Sequence, residues 1–171
     1  CRDNHENQTS AAECGCIASI VEQLKSNSTS AGVDEVKAEA VGAIWVISDK
    51  HPDNKTAVAR AGGIQPTVSI LAGGTPRAQE HAAYALSALG FDNVENQKQI
   101  TSLLVSLLST GSNEAKQNST SLLLRLVEEN PESQQDIATA GPMADLIGLL
   151  KEGSDGAKRF ALWSLSLSIN E

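Results

Sequence analysis

The amino-acid sequence predicts an all-α protein, a solenoid of about four three-helix repeats. Short apolar segments with helical spacing recur along the 171 residues, and glycine or proline separates them. The order of these segments repeats four times along the chain. Only five residues are aromatic (two Phe, two Trp and one Tyr), so the apolar mass is Ala, Leu, Ile and Val, which suits closely packed helices.

The second repeat shows the pattern most clearly. A short helical segment begins near Asn54 and ends at Gly62, which can take a positive φ, and an apolar segment follows at 64–71. The third segment, 76–90, opens with proline, whose missing N–H costs little in the first turn of a helix. The expected N-caps of the matching helices in the third and fourth repeats are Ser112 and Ser154.

The same spacing defines the other repeats. From the polar start of a repeat to the end of its second helix there are 17 positions at 7–24, 54–71 and 133–150. Residues 96–108 span only 12, so we expect the first two helices of the third repeat to fuse. A seam against neighbouring repeats is predicted for five residues of the third helix in the second repeat: Ala78, Ala82, Ala85, Leu86 and Leu89.

The repeats start at positions 7, 54, 96 and 133, which lie 47, 42 and 37 residues apart. A period near 42, with one insertion and one deletion, is typical of the helical repeats called HEAT and armadillo, and three helices per repeat favour armadillo. The insertion falls at 26–32. The sequence therefore predicts one domain over 1–171, with repeats at about 4–49, 51–91, 93–129 and 130–171.

Two segments carry a resemblance to a known family. They are PDNKTAVARAGGIQPTVSILAGGTPRAQEHAAYALSAL at 52–89 and PESQQDIATAGPMADLIGLLKEGSDGAKRFALWSLSL at 131–167. Each has a polar start, an alanine-glycine break, an apolar second helix and an alanine-containing third helix. With these motifs the chain resembles the armadillo-repeat family, of the non-importin type. The resemblance implies a right-handed superhelix whose third helices line a concave groove that binds extended segments of other proteins.

In peptide-carrying members of the family, the groove has a tryptophan followed four residues later by an asparagine that clamps the ligand backbone. Here the tryptophan slot holds Gly42, Tyr84, Ser121 and Trp163 in turn. The slot four residues on holds Val46, Ala88, Arg125 and Leu167. The asparagine is absent from all four repeats, so a receptor for nuclear localisation signals is not expected.

Nine residues on the expected groove line form the candidate protein-binding site, since aromatic and arginine side chains commonly anchor interfaces. They are Glu80, His81, Tyr84, Asn118, Ser121, Arg125, Arg159, Phe160 and Trp163. An alternative stays open for Phe160 and Trp163, which could instead pack against a further repeat.

The composition argues against several classes of function. A formal net charge of −8 argues against nucleic acid, which usually needs a basic face. No apolar run approaches the roughly 18 residues that span a bilayer. We therefore expect a soluble protein, by preference cytoplasmic or nuclear, with an organellar complex left open. An enzyme is not expected, because His5, His51 and His81 lie in no catalytic motif, and neither a cofactor nor a small-molecule ligand is predicted.

Three cysteines lie near the start of the chain, Cys1, Cys14 and Cys16, and an odd number is not a disulfide framework. Together with His5 they could supply four zinc ligands. However, Cys14 and Cys16 fall where the second repeat has small packing residues, and their spacing differs from the commoner C-x2-C. Structural cysteines are therefore the preferred interpretation, and no metal is predicted.

The sequence thus predicts a non-catalytic scaffold that binds a partner protein through its solenoid surface. Two alternatives stay open. One is a structural or accessory subunit of a larger multiprotein complex that docks by helix ends and edges, which the missing asparagines favour. The other is a regulatory armadillo domain of a ubiquitin-ligase-like protein. Substitutions along the groove separate binding in the groove from docking at the edges.

Overall fold

The computed structural model describes residues 5–26, 32–129 and 143–169. Within these ranges the regular structure consists of ten helices, and no strand is found there. In chain order they are α1 (His5–Glu13), α2 (Cys16–Lys25), α3 (Val33–Ser48), α4 (Pro52–Arg60), α5 (Ile64–Gly73), α6 (Pro76–Gly90), α7 (Val94–Thr110), α8 (Asn113–Glu129), α9 (Met143–Glu152) and α10 (Asp155–Ile169). The predicted all-α solenoid of about four repeats is confirmed.

Glycine and short polar side chains set the helix ends. Gly62 separates α4 from α5 and has a φ of 76°, a conformation that a Cβ would disfavour. Thr75 caps α6, since its Oγ1 accepts the N–H of Ala78 at 3.3 Å. The two caps predicted for α8 and α10 are confirmed. The hydroxyls of Ser112 and Ser154 accept the N–H three residues on, at 3.1 and 3.3 Å.

The third repeat departs from the three-helix pattern as its short spacing predicts. Helix α7 runs for 17 residues without a break, so the first two helices are fused. The start of the fourth repeat at Ser133, and its expected break at 140–142, lie outside the described residues, as does most of the 26–32 insertion. The repeat boundaries therefore stay a prediction.

The third helices of successive repeats lie side by side, with α3 packed on α6, α6 on α8 and α8 on α10. The seam predicted for α6 is confirmed, because all five of its residues are buried in the core. Glycine permits the close approach of these helices. A Cβ on Gly42 would lie 3.0 Å from Nδ1 of His81, and a Cβ on Gly156 would lie 2.6 Å from Cγ2 of Thr120.

A buried asparagine joins the second repeat to the first. Asn54, at the start of α4, donates from Nδ2 to the Ile47 carbonyl at 2.8 Å and to the Gln8 carbonyl at 3.1 Å. Ile47 lies in the last turn of α3, where carbonyls have no partner within the helix. The amide therefore satisfies a buried acceptor that would otherwise stay unpaired.

Asn96 makes the same contacts 42 residues later, between the second and third repeats. Its Nδ2 donates to the Leu89 carbonyl at 3.0 Å, at the end of α6, and to the Lys55 carbonyl at 3.3 Å, in α4. We call the contacts of Asn54 and Asn96 the asparagine joints. They give a structural reason for the asparagine with which these repeats begin.

In the first two repeats, the residue that follows Asn7 or Asn54 binds the end of the third helix of the same repeat. In the first repeat, Gln8 Nε2 donates to the carbonyls of Val46 and Asp49 at 2.8 and 3.0 Å. In the second, Lys55 Nζ donates to the Phe91 carbonyl at 2.5 Å. In these two repeats the side chain thereby connects the first helix to the end of the third, whereas the side-chain amide of Gln97 in the third repeat has no hydrogen-bond partner among the described residues.

Candidate binding groove

Two adjoining depressions lie along the third helices, and together we call them the groove. The first has a volume of about 180 Å³ and is bordered by α3, α6 and α8. The second, of about 310 Å³, is bordered by α5, α6 and α8. The first is lined by Trp45, Asp49, Tyr84, Ser87, Ala88, Phe91 and Arg125. The second is lined by Leu71, Pro76, Gln79, Glu80, Ala83, Asn118, Ser121, Leu122 and Arg125.

An aromatic stack forms the floor of the first depression. Trp45 from α3 and Tyr84 from α6 stack with ring centroids 4.8 Å apart and an interplanar angle of 23°. From α8, Cζ of Arg125 lies 5.4 Å from the centroid of the Tyr84 ring. The indole comes from α3 and the guanidinium from α8, the two third helices that pack on α6. One continuous run of side chains thus crosses three repeats.

A second pair of a cation and an aromatic ring includes Phe91, which lines the same depression. Phe91 is 44% exposed, and the Lys55 ammonium lies 5.2 Å from its ring centroid. Burial lowers the pKa of Lys55, while the charges of Asp92 and Asp49 act in the opposite direction. The ammonium is held in place by its hydrogen bond to the Phe91 carbonyl.

Five of the nine residues that line the second depression are polar or charged. Glu80 and Ser121 are exposed there, whereas Asn118 has a structural contact, since its Nδ2 donates to the Leu71 carbonyl at 3.1 Å. Arg125 lines this depression as well as the first, so its guanidinium lies where the two meet. A bound chain that crossed from one depression to the other would pass over it.

The structure brings five of the nine predicted site residues together in the groove: Glu80, Tyr84, Asn118, Ser121 and Arg125. His81 lies in the boundary between α3 and α6, where its Nδ1 is 3.0 Å from the Ala38 carbonyl oxygen and its ring covers Gly42. It is a packing residue more than a groove residue.

The fourth repeat requires a correction. Phe160 is only 1% exposed and belongs to the core, so the prediction that it contacts a partner is wrong. Its ring lies 5.8 Å from that of Trp163, which is partly buried beside it. Arg159 is exposed, but neither Arg159 nor Trp163 lines the two depressions.

Five residues that line the first depression were missed by the sequence prediction: Trp45, Asp49, Ser87, Ala88 and Phe91. The alignment placed Gly42 in the aromatic slot of the first repeat, and Trp45 stands three residues further on. A usable signal was present, because Trp45 is the sole aromatic residue of α3 and follows an empty aromatic slot by about one turn.

The described residues offer no evident site for a metal ion. Among them, no group of three or more His, Cys, Asp or Glu side chains converges. Cys1, which the zinc alternative requires, lies outside the described part. Cys14 is exposed and Cys16 half-buried, both as free thiols, and burial together with the neighbouring Cys14 raises the pKa of Cys16.

The search for membrane spans covered the described part of the chain. No helix there combines the length and the apolar character that crossing a bilayer would require.

The packing of the third helices and the groove along them define an α-solenoid of the armadillo type, and solved structures share this fold. A designed armadillo repeat protein in complex with the peptide (KR)4 superposes with a TM-score of 0.59 at 24% identity, covering 97% of this chain and 70% of that one. Computationally designed armadillo repeat proteins for modular peptide recognition give 0.58 at 24% identity, covering 96% and 69%. The armadillo-like fold predicted from the sequence is therefore confirmed over nearly the whole chain.

Sequence comparison matches a smaller part of the chain than structural comparison does. No family model matches the sequence. A curated relative, U-box domain-containing protein 14 of Arabidopsis thaliana, is 31% identical over 94 residues, which are 54% of this chain. The chain thus spans only 14% of the length of that relative.

Proposed function

We propose that this chain is a non-catalytic scaffold that binds a segment of another protein along the groove. The observation that carries the proposal is the run of Trp45, Tyr84 and Arg125 across three successive repeats. Aromatic and arginine side chains are the types that most often anchor interfaces. Here each of the three side chains comes from a different helix: Trp45 from α3, Tyr84 from α6 and Arg125 from α8.

The size of the groove supports a protein ligand over a small molecule. Pockets that enclose small molecules usually have volumes of about 300–1,000 Å³ and bury most of their ligand. The first depression, at about 180 Å³, is smaller, and the second, at about 310 Å³, is at the lower limit. Two small depressions in a row suit successive side chains of an extended segment. A similar solved structure, the designed armadillo repeat protein, holds the peptide (KR)4.

Selection of random displayed peptides on the immobilised chain tests the proposal. Peptides that bind the unchanged protein should lose binding to the triple variant Trp45→Ala, Tyr84→Ala, Arg125→Glu, and they should keep it with the matched variant Gln65→Ala, Ser69→Ala. Gln65 and Ser69 are exposed on α5, outside the lining of the groove. Circular dichroism verifies the fold of each variant. Equal capture by the unchanged and triple-substituted chains would reject groove binding.

A second candidate is docking as an accessory subunit through the fourth repeat. Ile147 of α9 and Leu162 of α10 are 45% and 59% exposed, and both lie outside the groove. Exposed apolar side chains mark a contact with another protein when they form a contiguous patch. In this case Ile147→Ser with Leu162→Ser would abolish capture of a partner, whereas the groove variant would not. The likeness to a U-box protein leaves a regulatory role in a ubiquitin ligase as a further form of the same proposal.

A further inference from the structure

Two aromatic rings of the groove, Tyr84 and Phe91, already have a cation of this chain beside them: Arg125, which lines the groove, and the buried Lys55. We infer that the groove disfavours segments rich in Lys and Arg and instead takes a segment in which a large apolar side chain stands beside a carboxylate. The inference rests on the proposed function and names the chemistry of the segment bound at the same site. Three features of the groove support it.

The first feature is that cations of this chain already lie beside two aromatic rings of the groove. A cation gains from an aromatic ring when it lies over the face within about 6 Å of the centroid. Arg125 is at 5.4 Å from Tyr84, and Lys55 is at 5.2 Å from Phe91. A lysine or arginine from a partner would have to displace one of these side chains, and it would meet like charge on arrival.

The second feature is that two acidic residues near the start of α3, Glu35 and Glu39, are already paired with a cation of this chain. Arg77 of α6 contacts Glu35 at 3.1 Å and Glu39 at 2.6 Å, so this cation from the chain bridges two carboxylates along the same helix boundary. These exposed pairs contribute little stability, but they reduce the attraction that the carboxylates offer to a basic segment.

The third feature is the position of Arg125 where the two depressions meet. Cζ of Arg125 lies 5.4 Å from the Tyr84 ring centroid, and a guanidinium has five N–H donors, so it can donate to a further carboxylate beside its present contacts. Two parallel charge-assisted hydrogen bonds to one carboxylate are the strong geometry for such a pair. An acidic side chain in the bound segment would therefore lie over Arg125.

The first depression beside Arg125 suits an apolar side chain. Four of its seven lining residues are aromatic or alanine: Trp45, Tyr84, Ala88 and Phe91. Trp45 and Arg125 both lie against the Tyr84 ring, and an incoming aromatic ring can offer its face to a ring edge in the depression. Asp49 at the rim is close enough to Lys55 to influence its pKa, so its charge is partly balanced.

Three short peptides of equal length separate these requirements: Gly-Ser-Glu-Phe-Glu-Gly-Ser, its lysine counterpart Gly-Ser-Lys-Phe-Lys-Gly-Ser, and Gly-Ser-Glu-Ala-Glu-Gly-Ser without the ring. The chain has two tryptophans, so the indole N–H signals in a nitrogen-proton NMR spectrum report the groove through Trp45 and the fourth repeat through Trp163. Trp163→Phe assigns the two signals. We expect the Glu-Phe peptide to shift the Trp45 signal with an affinity about tenfold above that of either other peptide, and the Trp163 signal to stay in place.

Charge reversal at one position provides the control. Arg125→Glu should invert the preference between the glutamate and lysine peptides, and Arg125→Gln should remove it. Arg159→Glu changes the net charge of the chain by the same amount at an exposed position outside the groove, and it should leave the preference intact. Equal effects of Arg125→Glu and Arg159→Glu would attribute the preference to overall charge and overturn the inference.

Other results overturn it as clearly. Binding of the lysine peptide or of (KR)4 at Trp45 as tight as that of the glutamate peptide would reject it, and so would a Trp45 signal that none of the peptides moves. Failure of the inference is distinct from failure of the proposed function. If displayed peptides that need Trp45 and Tyr84 turn out to be rich in Lys and Arg, groove binding stands and the selectivity inferred here is rejected.

Discussion

Lys55 stands where the first and third repeats have glutamine, at Gln8 and Gln97. It is buried, and burial lowers its pKa, with the carboxylates of Asp92 and Asp49 opposing that change. Glutamine can donate the same kind of hydrogen bond without a charge, so the lysine adds a dependence on pH that the other repeats lack.

We expect Lys55→Gln to remove a rise of the unfolding free energy with pH. The pKa of Lys55 is lower in the folded chain than its ordinary value of 10.5, so between the two values the unfolded chain binds more protons and stability increases with pH. Urea unfolding at a series of pH values up to about 10.5 measures the slope. Lys151→Gln removes the same charge from an exposed position and should keep the rise. The same slope in both variants would contradict the expectation.

The two described cysteines should differ in reactivity. Cys14 is exposed, whereas Cys16 is half-buried with a raised pKa, and the thiolate is the reactive form. Iodoacetamide at neutral pH should therefore label Cys14 several times faster than Cys16, as followed by peptide mass spectrometry. In urea the difference should disappear. Faster labelling of Cys16 in the folded chain would count against the burial seen here.

The candidate site was only partly predictable from the sequence, because the repeat pattern gives the position of a residue on its helix but not how far its side chain reaches. Tyr84 and Arg125 were found because their positions in the repeat put them on the correct helix face. Trp45 was missed because aligning repeats compares backbone positions, whereas a large ring can reach the same partner from one turn away. Phe160 was misplaced because its burial depends on neighbouring helices, which a helical period does not specify.

Helices were more predictable than side-chain contacts, since their ends depend on local chemistry. The glycine after α4, the proline that opens α6 and the serines before α8 and α10 each act within a few residues. The fusion of the first two helices of the third repeat into α7 was predicted because 96–108 spans only 12 positions where the other repeats have 17. The asparagine joints were not foreseen, because Asn54 and Asn96 bind carbonyls from two other helices.

The seam between third helices should tolerate little extra volume. Ala82 is completely buried on α6, so Ala82→Leu should overpack the seam and destabilise the chain by about 1–3 kcal/mol. Urea unfolding followed by circular dichroism gives the value. The neighbouring Ala83 is partly exposed beside the second depression, and Ala83→Leu should cost distinctly less. Comparable losses for the two variants would show that the seam is not closely packed.

The whole molecule is a row of repeats in which each contacts its neighbours, so damage at one joint should stay local. Asn96→Ala leaves two carbonyls without their side-chain donor and should cost about 1–3 kcal/mol. Hydrogen exchange should show lost protection in α4, α6 and α7, with little change in α1 and α2. Asn113→Ala, at the exposed start of α8, is the control. Uniform loss over the chain would indicate that the solenoid unfolds as one unit.

The asparagine joints also indicate that the second repeat can be deleted as one unit. Asn96 and Asn54 are 42 residues apart, as are their partners Leu89 and Ile47. Excising the 42 residues 50–91 would place Asn96 seven positions after Ile47, the same separation at which Asn54 binds Ile47 in the intact chain. The shortened chain would inherit a matching connection, so its length could change by a whole repeat without new chemistry at the splice.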